Sequence, residues 1–147
     1  MTNDVLLNKV AIIERCLARV QSEYLGHQGE LETNFTRQDS IILNLQRACE
    51  ASIDAAMHLV RVKKLGVPQE SREAYDMLHD AGIIDPQLRD QLKAMIGFRN
   101  IAVHDYRKLN LAIVRSIIET RLDDFRTFAE TVLRVEETAN SEEKQDD

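Results

Sequence analysis

Apolar residues return at intervals of three and four along most of this chain, the pattern of helices with one buried face. Val10, Ile13, Leu17, Val20 and Tyr24 form one such stripe. They predict a first helix over residues 4–26, with Gly26 and Gly29 bracketing its end. Ile42, Leu45, Cys49, Ile53, Ala56 and Val60 form a second stripe. That helix is expected to start at Thr36 or Asp39, both suitable caps, with Phe35 plugging the loop before it. It should stop at Gly66, two residues before Pro68. Ser71 to Asp80 reads as a short third helix closed by Gly82. Asp85-Pro86 then joins a capping carboxylate to a proline at the first helical position. It opens a fourth helix whose Leu88, Leu92, Met95 and Ile96 face inward. Asn110 caps a last helix, with the stripe Val114, Ile117, Leu122, Phe125, Phe128 and Val132. No strand-like alternation or internal repeat interrupts the series. The expectation is an all-α, up-and-down bundle of four main helices plus a short one.

Composition agrees. Among 147 residues there are only 5 Gly, 2 Pro and no Trp, with 44% hydrophobic and 30% charged residues. The net charge of −6 is unevenly placed. Residues 136–147 hold six acids and one lysine, so this segment carries −5 and residues 1–135 are near neutral. A helical domain over 1–135 and an acidic, frayed tail over 136–147 are expected. Such a balance argues against a general nucleic-acid coat but leaves a polyanionic substrate open. Cys16 and Cys49 lie on helical patterns without a C-x-x-C, which fits a reduced, cytoplasmic setting with buried thiols. No signal peptide and no membrane span is read.

Candidate chemistry is sparse outside one segment. No glycine-rich phosphate loop and no nucleophile elbow is present, so no cofactor is expected. A di-iron bundle needs paired Glu-x-x-His motifs, which are missing. Asp54 and His58 share a face but lack a second ligand pair, so no metal site is expected. His27, His58 and His79 fall at helix ends or flanks. Arg61, Lys63 and Lys64 either face phosphates or oppose the negative end of a helix dipole.

The exception is GFRNIAVHDYRKLN, residues 97–110, where Arg99, Asn100, His104, Asp105 and Tyr106 crowd the end of an apolar helix. At about 100° per residue, Arg99 and Tyr106 share a face if the helix persists. Arg99 and His104 lie about 140° apart and do not stack in one straight helix. Either the helix ends near His104 and the imidazole swings back, or a second copy of the chain supplies the missing partner. Arginine offers a charged planar fork for phosphate, and histidine moves protons near neutral pH. Together they suffice to cleave RNA without metal: a base activates the ribose 2′-hydroxyl, an acid protonates the leaving 5′-oxygen, and a cation holds the phosphoryl charge. Two histidines in a two-fold dimer would serve both faces of the displacement. Tyr106 would orient phosphate or stack on a base. The plainer alternative is that Arg99 pairs with an acid while His104 ends the helix by bonding a carbonyl.

R-N-I-A-V-H-D-Y resembles the R-x4-H-x-Y form found in HepT toxins of the HEPN superfamily, small helical domains with an R-x4-6-H signature. MIGFRNIAVHDY, LNLQRACEASIDAAMHLV, LGVPQESREAYDML and AGII extend the resemblance over residues 5–135. It implies a homodimeric ribonuclease toxin whose two motifs meet in a shared cleft, with Arg99 and His104 catalytic. It also implies a partner, an MntA-type nucleotidyltransferase antitoxin that transfers AMP from ATP onto the hydroxyl of Tyr106. An added AMP would compete for the arginine and block the cleft. The resemblance further suggests that a polar residue early in the second helix supports Arg99, with Asp39 the natural candidate. Asn100 would bond phosphate or pin the helix end. The rival reading is a non-enzymatic HEPN subunit that binds substrate for, or scaffolds, a nucleotidyltransferase.

Overall fold

The computed structural model describes residues 4–145, with side chains through residue 138. Six α-helices follow one another: α1 (Asp4–Tyr24), α2 (Phe35–Val62), α3 (Ser71–Asp80), α4 (Pro86–His104), α5 (Leu111–Thr120) and α6 (Leu122–Gln145). Single 3-10 turns occupy Gln28–Glu30 and Tyr106–Lys108. No strand occurs among the described residues, so the chain is all-α.

Local chemistry accounts for most helix ends. The Asp85 carboxylate accepts the Leu88 amide at 2.7 Å, with Pro86 directly behind it. Asn110 accepts the Ala112 amide at 2.9 Å. The cap of α2 is neither Thr36 nor Asp39 but Asn34, whose side chain accepts the Arg37 amide at 3.1 Å. Phe35 correspondingly plugs nothing: it is the first residue of α2 and is 68% exposed. α2 stops before Gly66. Lys64 takes the left-handed conformation (φ 56°), and the Leu65 amide reaches back to the Val60 carbonyl at 2.9 Å. A lysine thus fills the role glycine usually takes in this closing motif.

The single last helix expected after Asn110 is two helices, broken at Arg121. Periodicity could not reveal the break, because Val114, Ile117 and Ile118 stay in phase with Leu122, Phe125 and Phe128, and all six are buried. Tertiary contacts hold α5 on its own course. Arg115 donates to the Tyr24 hydroxyl at 2.9 Å, to the Gln28 carbonyl at 2.8 Å and to Glu32 at 2.6 Å. The Tyr24 hydroxyl in turn donates to Glu119 at 2.5 Å. α6 passes position 135 without a break and continues to Gln145, and Glu136 is buried. Residues 146 and 147 of the acidic segment lie outside the described residues.

The most extensive packing joins α1 to α2, and α6, α4 and α3 close around that pair. Tyr75 of α3 meets Phe128 of α6 edge to face, ring centres 5.8 Å apart. Both cysteines are buried free thiols. α4 packs across α2, which brings the end of α4 against the first half of α2.

Candidate active site at the end of the fourth helix

α4 ends at His104, so the motif straddles a helix end. Arg99 and Asn100 belong to the last turns of the helix, and Tyr106 opens the 3-10 turn that follows. The helix therefore does not persist to Tyr106, yet Arg99 and Tyr106 both face the same neighbour. Tyr106 donates its hydroxyl to Asp39 of α2 at 2.5 Å. Arg99 lies with one terminal nitrogen 3.7 Å from Glu50 of α2. α2 and α4 run antiparallel here, so the earlier α2 residue meets the later motif residue.

Asp39, expected to support Arg99, bonds the tyrosine in the structure, and the carboxylate beside Arg99 is Glu50. Sequence reading missed Glu50, though a signal was present. Asp39, Leu43, Gln46 and Glu50 fall within about 60° of one another around a helix. They form a second, mostly polar stripe beside the buried one. Gln46 donates to Glu50 at 2.8 Å within it.

Arg99 is only partly satisfied. It donates to Asn100 Oδ1 at 3.2 Å, and its buried Nε has no hydrogen-bond partner among the described residues. Its side chain keeps 30% exposure. A guanidinium with one loose ion pair and solvent access retains donors for a phosphate. The plainer sequence reading is met for the arginine, which pairs with an acid. It is not met for the histidine. His104 is exposed and, among the described residues, its side chain makes no hydrogen bond or ion pair. No bond joins it to Arg99 among the described residues. Asp105 pairs with Lys108 at 3.1 Å on the surface. Arg107 and Lys108 extend a cationic fringe beyond the motif, and both are exposed.

Burial first, and then the hydrogen bond and charge of Asp39, hold the Tyr106 phenol well above the ordinary tyrosine range. Beside Glu50, burial pushes the Cys49 thiol far up, which leaves it inert as a nucleophile.

The motif's surroundings are unusually apolar for a surface. Ile101 and Val103 are 43% and 41% exposed on α4. Leu43 and Phe35 stand exposed one turn to either side of Asp39 on α2. On the α5 side of α4, Ile101 lines a groove of about 400 Å³ together with Phe98, Lys108, Ile113 and Arg121. Residues elsewhere have structural partners. Asp54 pairs with Lys9 at 3.1 Å, His27 bonds Glu30 at 2.6 Å, and His79 lies 3.1 Å from Arg89. Among the described residues no group of three or more His, Cys, Asp or Glu could hold a metal ion, and no helix is long and apolar enough to cross a membrane.

Comparison with known proteins gives this arrangement a family. A curated relative described as the mRNA nuclease HepT of Shewanella oneidensis is 48% identical over 130 residues, 88% of this chain and 97% of the relative. A solved structure of a tri-AMPylated Shewanella oneidensis HEPN toxin in complex with its MNT antitoxin matches with a TM-score of 0.85 and 47% identity. It covers 90% of this chain and 98% of that one. A toxin–antitoxin crystal structure with AMP-PNP matches with a TM-score of 0.84 at 47% identity, over 88% of this chain and 98% of that one. The family model for HepT-like ribonucleases spans residues 13–132, and the chain belongs to that family.

Proposed function

We propose that this protein is a ribonuclease toxin that cleaves RNA without a metal ion, paired with an MNT-type nucleotidyltransferase antitoxin that silences it. The observation that carries this reading is the placement of Arg99, His104 and Tyr106. They stand at one helix end, with Arg99 and Tyr106 against α2 and His104 open to solvent. In the reaction, Arg99 holds the scissile phosphate and takes up charge as it develops, with Asn100 steadying the guanidinium. His104 moves the proton at one face of the phosphorus, and His104 of the partner subunit moves it at the other. A two-fold dimer places both imidazoles in one cleft. The exposed apolar residues Val103, near Arg99 on α4, and Leu43 and Phe35, either side of Asp39 on α2, support an interface on this face.

Silencing works on the same cleft. AMP attached to Tyr106 brings a phosphate and a nucleoside to the mouth of the site. Its negative charge competes with RNA for Arg99, and its bulk closes the cleft. The relative's tri-AMPylated state supports this reading. The test is cleavage of RNA in EDTA by the purified protein, with products ending in 2′,3′-cyclic phosphate. His104→Ala should abolish cleavage while the dimer stays folded. Equal activity in wild type and His104→Ala overturns the assignment.

A further inference from the structure

The Tyr106 hydroxyl does not point into open solvent waiting to be modified. It donates a short bond, 2.5 Å, to the Asp39 carboxylate across 67 residues of sequence. Both side chains are exposed enough for a large reactant to reach them: Tyr106 keeps 41% of its surface, and Asp39 is an exposed residue of α2. A neutral phenol is a weak nucleophile, and it becomes a good one only as its proton leaves. Free phenolate is scarce here, because burial and the neighbouring carboxylate both favour the protonated form. The proton must therefore depart as the new bond forms. The group already hydrogen-bonded to it is placed to take it.

We propose that Asp39 is the catalytic base for nucleotidyl transfer onto Tyr106, so that the toxin supplies part of the chemistry of its own inactivation. The inference rests on the reading of Tyr106 as the AMP acceptor. In the step, Tyr106 Oη attacks the α-phosphorus of a magnesium-bound nucleoside triphosphate delivered by the antitoxin. The Oη–P bond forms, the bond from that phosphorus to the bridging oxygen breaks, and pyrophosphate leaves. The hydroxyl proton passes to Asp39 Oδ1 and then to water. After transfer, Asp39 has lost its donor and faces a phosphodiester of like charge. Repulsion turns the new AMP away from α2, toward the cationic side of the cleft. Other titratable or charged groups beside Tyr106 are His104, Asp105, Arg107 and Lys108, and Asp105 is engaged with Lys108. His104 is thus the rival base.

The experiment follows AMP transfer by mass spectrometry, as increments of about 329 Da on Tyr106. The full chain is incubated with ATP, magnesium and the MNT antitoxin of the Shewanella relative. Asp39→Asn keeps the shape of the side chain but cannot take a proton. It should slow transfer on the order of 10²-fold. Its rate should climb about tenfold per pH unit across neutrality, where the wild-type rate is level. Asp39→Glu should restore much of the rate and the level profile. Thermal melting confirms that all variants are folded. Equal rates and equal pH profiles for wild type and Asp39→Asn overturn the proposal alone. So does transfer lost in His104→Ala but kept in Asp39→Asn. Wild-type protein that accepts no AMP on Tyr106 overturns the acceptor reading and this proposal with it.

Discussion

Arg99 and Glu50 approach no closer than 3.7 Å, a single loose contact in which both side chains stay about one-third exposed. An arginine meant only to brace the fold would take a closer, two-pronged grip on its carboxylate. Here the acid holds the guanidinium in place while leaving donors free. It also competes with any phosphate that approaches.

Glu50→Gln removes that competition. Exposed pairs of this kind are worth about 0.2–1 kcal/mol, so RNA affinity should rise by no more than about five-fold. Filter binding in a His104→Ala background, where nothing is cut, reads this directly. Weaker binding would mean that Glu50 chiefly aims Arg99.

All three tyrosines are held above their ordinary pKa, each chiefly by burial, with Glu119 assisting at Tyr24 and Asp39 at Tyr106. Phenolate absorbance should therefore rise at higher pH in the native protein than in the unfolded chain. Asp39→Asn should bring one tyrosine down toward the ordinary range, because a neutral amide no longer opposes the phenolate. The sign for stability follows. A phenol with a raised folded-state pKa stabilises the fold fully below its unfolded value near 10, and the contribution fades as pH rises through the folded value. A melting temperature that falls above pH 10 checks it.

Ile101→Lys with Val103→Lys places two charges among exposed apolar residues at the motif. Both positions face solvent in the single chain, so folding should survive. Sedimentation should show monomer, and RNA cleavage should vanish with the dimer. A dimer that persists with both lysines would move the interface elsewhere.

Phe128 is fully buried against Tyr75 and reports on the core rather than the site. Phe128→Ala should cost about 3–5 kcal/mol in urea unfolding. A loss below about 1 kcal/mol would mean that the α3–α6 contact is not part of the cooperative core.

Helix identity and facing were legible because they are local. The three-and-four spacing, Asp85-Pro86 and Asn110 act within a turn or two of themselves, so those starts emerged where expected. R-N-I-A-V-H-D-Y pointed to the HepT-like family for the same reason, since its residues lie within eight positions. Boundaries were less secure where two local signals competed. Asn34 outranked Thr36 and Asp39 as a cap, and Lys64 accepted a left-handed backbone before Gly66 was reached.

What the chain by itself determined, then, is five amphipathic stretches with their buried faces, and a cluster of polar residues at one helix end. Which residues meet across helices was decided only by the tertiary structure. Asp39 and Tyr106 are 67 positions apart, and no periodicity says how α2 is rotated or how far it slides along α4. Packing of the buried stripes sets both, and it put Asp39 on the tyrosine and Glu50 on the arginine. The turn at Arg121 has the same origin. An apolar stripe records which side of a helix is buried but not where its axis bends, and the grip of Arg115 on Tyr24, Gln28 and Glu32 helps to hold α5 on a course of its own.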